Sequence, residues 1–350
     1  MYTNDFYSPE VQGPYEKIGI GRLELENGGV IENCELAVAT RGTLNKKKDN
    51  AVLLPTWFTG THKTWIEHYI GSGHTLDPEK YFIVIVNQIG NGLSTSPHNT
   101  GDPSITGPKF PFVSTGDDVT AQERLLREHF GITELFAIVG IAMGGLQGYE
   151  WAVRYPQRVH RLASIAAGPH NTPHDHLFTE VLIEQITSDP GFSGGEYASH
   201  EDVAEGLKRH AHIWAVLGLS TEWWRWEDWR DLGVNSREEA VTEFLEPAFT
   251  ALDPNSVVTM ARKWQLSDVT RHTGGDLAAA LGGITARVFV LPINFDMFVT
   301  PMDCAEETKL IPRGQLHVIR DEAGHFALYN ISRTYMEQID RNLRELFASR

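Results

Sequence analysis

The residues whose types and order could break an acyl bond fall in a few short segments. Gly140-Ile141-Ala142-Met143-Gly144-Gly145 follows an apolar run, Leu135 to Val139, and precedes a helical run, Leu146 to Tyr155. A G-x-S-x-G turn uses its two glycines to bend sharply from strand into helix. The central side chain then projects into a site, and the next N–H faces the reacting oxygen. Both glycines stand at that spacing here, and the helix start adds a dipole that favours a developing oxyanion. The centre of the turn is Ala142, which has no hydroxyl to act as nucleophile. Taken alone, the pattern also fits an ordinary tight turn between strand and helix.

Its partners decide between these readings. Such a turn works with an acid and then a histidine later in the chain. Asp296 lies in LPINFDMFVTP after the apolar run Val288 to Leu291, and His325 lies in DEAGHFALYN after Leu316 to Ile319, with Gly324 freeing the loop. His325 would deprotonate a nucleophile and reprotonate the leaving group, while Asp296 would hold the imidazole tautomer. The second oxyanion donor is expected from Pro55 to Gly60, with the Phe58 N–H beside that of Met143. His170, His174 and His176 match no strong metal signature and have no cysteine beside them, so no metal site and no cofactor is expected.

These residues need a frame of strands and helices to meet. Residues 18–40 alternate around Gly28-Gly29 and predict an antiparallel hairpin at a sheet edge. Residues 51–54, 82–86, 135–139, 162–166, 288–291 and 316–319 predict strands, the first three as fully covered members of a parallel sheet. Helices are predicted over 117–128 and 332–347. The alternation stops between about 170 and 280, where consecutive helices carry Trp214, Trp223, Trp224, Trp226 and Trp229. The expected plan is an α/β core domain over 1–169 and 281–350 with a helical lid over 170–280. The lid covers the carboxyl ends of the strands, where open parallel sheets bind ligands. Most of these tryptophans are expected to pack as core.

The 350 residues, 41% of them hydrophobic, suffice for one large domain with an insertion. A formal net charge of −16, with Lys and Arg scattered apart from Lys46 to Lys48, argues against nucleic acid and anionic membrane as partners. A small molecule is the expected partner. Cys34 and Cys304 make no disulfide framework, and neither a signal peptide nor an apolar span is recognisable, so the cytoplasm is the expected location.

Together the segments LNKKKDNAVLLPTWFTGTH, GPKFPFVSTGDDVTAQERLLREHFGI, VGIAMGGLQGYEWAVRYPQRVHRL, DPNSVVTMARKW and AGHFALYN resemble the homoserine O-acetyltransferase family of α/β-hydrolases, which also includes acetate-ester hydrolases. The family's GGSMGGMQ reads here as GIAMGGLQ. The resemblance implies the α/β-hydrolase fold, a helical lid, homodimers built through lid helices and an acetyl-enzyme. It places the nucleophile at Ala142, the acid at Asp296 and the base at His325. The family's transferases carry an Asp directly after the histidine to meet the homoserine amino group, where this chain has Phe326, and a lid arginine, for which Arg209 is the nearest candidate. Trp57, Arg209 and Phe326 are the expected substrate contacts.

The expected function is a serine-type carboxylesterase acting on short acetate esters, inactive as written because position 142 is Ala. The intact acid, base and glycines favour a serine replaced by alanine over a natural pseudoenzyme. The alternatives are homoserine acetyl transfer from acetyl-CoA and a catalytically dead small-molecule binding protein.

Overall fold

Apolar runs form the middle of a sheet here because both of their faces are covered. The computed structural model describes residues 2–349. Among them run strands β1 (Glu16–Glu24), β2 (Val30–Arg41), β3 (Ala51–Pro55), β4 (Phe82–Val86), β5 (Ala137–Ile141), β6 (Arg161–Ile165), β7 (Arg287–Leu291) and β8 (Gly314–Leu316). They form one eight-stranded sheet in the order β1-β2-β4-β3-β5-β6-β7-β8. Every residue of β3, β4 and β5 is buried, as the uninterrupted apolar runs require. The predicted hairpin is β1 and β2, antiparallel at the edge; β2 also pairs antiparallel with β4, and the other neighbours pair in parallel.

The strand order reverses between β3 and β5. The chain steps outward from β3 to β4, crosses back to β5, and then continues the other way to β8. At such a reversal the loops beyond the two carboxyl ends diverge and leave a crevice. Here those loops are Pro55 to Gly60 and the turn at Ala142.

Helices α1 (Thr115–Arg124), α2 (Met143–Arg154), α3 (Pro173–Thr187), α4 (Ala204–Leu217), α5 (Pro254–Gln265), α6 (Pro301–Thr308) and α7 (Tyr335–Ala348) do most of the covering. Helix α1 starts on a capping box, the Ser114 side chain accepting from the Asp117 N–H at 3.0 Å and the Asp117 carboxylate from the Ser114 N–H at 2.7 Å. It ends in a π-helical turn, Leu125–His129. No helix among the described residues is long and apolar enough to cross a membrane.

Two strand boundaries differ from the sequence reading. β5 begins at Ala137 and continues through Gly140 and Ile141, because Ser164 and Ile165 of β6 extend the ladder. The glycine that suggested a strand end is in the strand. β8 is displaced to Gly314–Leu316, and Ile319 meets Ile293 only as an isolated bridge. Pro292, without an N–H, interrupts the ladder between them.

Residues 170–265 are helical and irregular and cover the strand ends. Val269, Ala280 and Leu281 instead join the apolar cluster on the opposite side of the sheet, with Val119 and Trp151. The covering part of the segment is therefore shorter than 170–280. Of its tryptophans, Trp223 and Trp229 are buried and Trp226 is 68% exposed.

A buried ion pair ties this cover to the core. Lys263 of α5 is hydrogen-bonded to the Asp118 carboxylate of α1 and, at 2.6 Å, to the Ile89 carbonyl, while Asp118 Oδ1 accepts from the Ile89 N–H at 2.9 Å. Removing one partner strands the other charge in the interior. Lys263→Met is expected to lower unfolding stability by about 3–5 kcal/mol in urea denaturation, with much of it recovered when Asp118→Leu is added. An undiminished loss in the double variant would show that the stranded charge is not the cause.

Candidate active site

The turn after β5 is sharp because backbone must approach backbone. Ala142 has φ 46° and ψ −120°, a conformation L-residues rarely adopt, and it is the residue before α2. Its N–H donates to the Ile165 carbonyl at 2.9 Å, and its carbonyl accepts from Gly145 N–H at 2.8 Å and Leu146 N–H at 3.2 Å. A Cβ on Gly140 would lie 2.2 Å from the Gly144 carbonyl oxygen, and one on Gly144 would lie 2.5 Å from that of Pro55. No larger residue fits at either place. The surrounding structure thus holds Ala142 in a conformation that costs on the order of 1–3 kcal/mol.

His325 and Asp296 meet across the ends of β7 and β8. Asp296 Oδ2 accepts from His325 Nδ1 at 2.6 Å, and Asp296 Oδ1 accepts from the N–H groups of Phe298 at 3.1 Å and Val299 at 3.0 Å. Both side chains are buried. With Nδ1 held as donor to the carboxylate, Nε2 carries the lone pair a general base needs. The Phe298 ring lies 4.3 Å from the imidazole, centroid to centroid, so the ring is held by packing as well as by the hydrogen bond.

One cavity, of about 730 Å³ counting its open mouth, is lined by Ala142 and His325 together with Trp57, Phe58, Met143 and Phe326. Phe58 and Met143 N–H groups make no hydrogen bond among the described residues, which leaves both free to serve an oxyanion. Trp57 Nε1 donates to the Tyr329 hydroxyl at 3.2 Å, which also meets the Thr59 hydroxyl. Phe326 stacks on Trp214 at 5.6 Å.

Arg209 is not brought to this cavity. It packs against α3 and the turn after it, donating to the Gln185 carbonyl at 2.9 Å and lying 4.0 Å from Asp189. The residue that faces inward is its neighbour, His210. Its Nδ1 donates to the Leu182 carbonyl at 3.1 Å, and its Nε2 accepts from Trp214 Nε1 at 3.0 Å, one helical turn on. That bond holds Trp214 against the cavity, the one member of the tryptophan cluster that lines it. Burial pushes the His210 imidazole down to about 4, so it stays neutral and keeps its acceptor.

Several lining residues escape sequence reasoning: Trp264, Phe249, Phe298 and Tyr329, and the acids Asp175, Asp303 and Glu307. Nothing in their local patterns marks them. Neither Lys nor Arg is among the described residues that line the cavity. Cys304 also lines it, but burial first, and then Glu307, Asp296 and Asp303, push its thiol far up, so it offers no thiolate to the site. His170 faces Glu307 at 3.8 Å, and no metal-binding group of His, Cys, Asp and Glu occurs among the described residues.

A strained strand-to-helix turn at the reversal of the sheet, facing a buried His–Asp pair, is the site architecture of one large class of acyl-transferring enzymes. Residues 50–330 match the family model described as alpha/beta hydrolase fold, and the chain belongs to that family. It is 50% identical to an ethyl acetate hydrolase of Pseudomonas veronii, covering 99% of each chain. A solved acetylester hydrolase from Corynebacterium glutamicum superposes with a TM-score of 0.99 at 60% identity, covering 100% of both chains. A homoserine O-acetyltransferase of Leptospira biflexa is 32% identical, over 92% of this chain and 91% of that one. With close esterase relatives, the chain is of the carboxylic ester hydrolase kind.

His210 gives a signed pH dependence. Its folded pKa, about 4, is below the ordinary 6.5, so its contribution to stability is complete above 6.5 and is lost as pH falls toward 4. His210→Gln should flatten this acid limb in melting temperatures recorded across that window. Parallel curves for the two proteins would sink the assignment.

Proposed function

We propose that this chain, with serine at position 142, hydrolyses acetate esters of small alcohols through an acetyl-enzyme, and that Ala142 stands in the place of that serine. The observation that carries the reading is the strained conformation of Ala142, kept at a helix start in one cavity with the bonded His325–Asp296 pair. Strain of this kind persists where the surroundings impose it, and a position without chemistry gains nothing from it.

The steps follow from the positions. His325 Nε2 takes the proton of the serine hydroxyl as its oxygen attacks the ester carbonyl. The tetrahedral oxyanion is met by the N–H groups of Phe58 and Met143. His325 then gives the proton to the departing alcohol, and Asp296 stabilises the imidazolium between these transfers. Water, deprotonated by the same nitrogen, attacks the acetyl-enzyme, and acetate leaves. With alanine the first bond cannot form, so substrate binds and stays, apart from a residual ~10³–10⁴-fold acceleration over water from the oxyanion donors and binding.

Hydrolysis is favoured over acetyl transfer to homoserine by charge. The homoserine carboxylate and the phosphates of coenzyme A need cations, and neither Lys nor Arg lines the cavity among the described residues. Phe326, an apolar ring, stands where the transferases carry an acid for the amino group. The names of the ethyl acetate hydrolase and acetylester hydrolase relatives support the same substrate class. The reading also expects a homodimer.

Ala142→Ser is expected to release acetate rapidly from ethyl acetate and 4-nitrophenyl acetate, unaffected by homoserine, while the alanine chain does not. Adding Asp296→Asn should lower kcat by about 10⁴-fold. Acetylhomoserine formed from acetyl-CoA would establish the transferase instead, and silence of the serine form on every acetyl donor would establish a binding protein.

A further inference from the structure

Part of the cavity wall is made of carboxyl groups that the acyl chemistry does not use. Asp175, in the first turn of α3, and Glu307, near the end of α6, both line the cavity and are only 5% and 7% exposed. One oxygen of Asp175, Oδ2, accepts from the Thr172 N–H and hydroxyl, both at 2.8 Å. The other, Oδ1, and Glu307 Oε2 are buried with no hydrogen-bond partner among the described residues. Among the described residues, Glu307 Oε1 has only His170 Nε2, at 3.8 Å. Buried polar atoms are ordinarily satisfied, and each one left bare costs stability. Two cavity-lining side chains, each with a carboxyl oxygen that lacks a partner among the described residues, mark a place that a ligand hydroxyl can complete.

The state of Glu307 narrows the choice of partner. Burial, reinforced by Asp303 and Asp175, pushes its carboxyl up to about 8, so at neutral pH it keeps its proton and can donate as well as accept. Burial also raises Asp175. A carboxylate on the ligand would meet acids and no lining Lys or Arg, whereas a hydroxyl can donate to one carboxyl and accept from the other. The acetyl group has no room for such a hydroxyl, so it belongs to the alcohol part.

We propose that Asp175 and Glu307 form a subsite that hydrogen-bonds a hydroxyl on the alcohol part of the ester, so that acetate monoesters of short diols are preferred over acetates of plain alkanols. The inference rests on the acetate-ester reading above. Hydrolysis of such a monoester takes up one water and yields acetate and the free diol. Apolar residues such as Phe298 and Trp264 also line the cavity, which suits methylene groups between the ester and the hydroxyl.

The alanine chain itself serves as the test, since it binds without cleaving. Calorimetric titration with 2-hydroxyethyl acetate and with propyl acetate, which differ by OH for CH₃, should give roughly 10-fold or more tighter binding of the hydroxy ester. Glu307→Leu should bring the two close to equal, whereas Glu307→Gln, which can still donate and accept, should keep most of the preference. Equal binding by the parent chain overturns the subsite, as does an equal loss in both variants. Tighter binding of 2-(dimethylamino)ethyl acetate than of the hydroxy ester also overturns it, in favour of a cation site. The Ala142→Ser form separates the two proposals. Fast hydrolysis of ethyl acetate without hydroxyl preference defeats only the subsite, and a preference in binding with no hydrolysis of any acetate defeats only the esterase reading.

Discussion

A chain that leaves a buried parallel strand and enters a helix within a single residue must bring backbone against backbone, and that close approach governs this molecule. Gly140 and Gly144 remove the Cβ atoms that would collide with the Gly144 and Pro55 carbonyls. The ladder between β5 and β6 runs to Ile141, so the bend falls entirely on Ala142. The Ala142 N–H is then fixed to Ile165 and its carbonyl to the first turn of α2, and its left-handed φ has no easy relaxation. The position aims a side chain into the cavity and gives the first free helical N–H, that of Met143, to the same space.

The sheet order puts the other participants within reach of that residue. Because the order reverses between β3 and β5, the loop carrying Phe58 opens beside the turn and not beneath a crossover helix. Asp296 and His325 come from the ends of neighbouring strands further along, and their hydrogen bond is closed over by Phe298. The helical cover is fastened to this frame by the Lys263–Asp118 pair. Its inner surface is set by one neutral histidine, His210, which orients Trp214. The cavity that results is largely aromatic and apolar, with the carboxyl groups of Asp175, Asp303 and Glu307 in its lining and no lining Lys or Arg among its described residues. Such a lining suits a neutral ester far better than a zwitterion or a nucleotide.

With alanine at its centre, the turn has this strained shape. The strain is imposed by the backbone contacts of the glycines and the strand ladder, not by the Ala142 side chain. Backbone shape and side-chain identity are thereby separable at this position.

Much of this was legible in the sequence, for a physical reason. The turn, its glycines and the apolar strand before it are local, and Asp296 and His325 sit beside strand ends that apolar runs reveal. Apolar runs and helical periodicity likewise marked an α/β chain with a helical insertion. Strand ends were less legible, because β5 is prolonged by its partner β6 and β8 is cut short by Pro292 on its neighbour. On α4, Arg209 and His210 are adjacent, and spacing alone could not say that neither lines the cavity; their bonds to α3 hold both, and only His210 reaches a lining residue, Trp214. The carboxyl pair was out of reach altogether, since Asp175 and Glu307 are ordinary residues of two helices far apart in the chain. Only the folding of α3 and α6 against one cavity buries both, leaves an oxygen of each without a partner, and makes them a feature of the site.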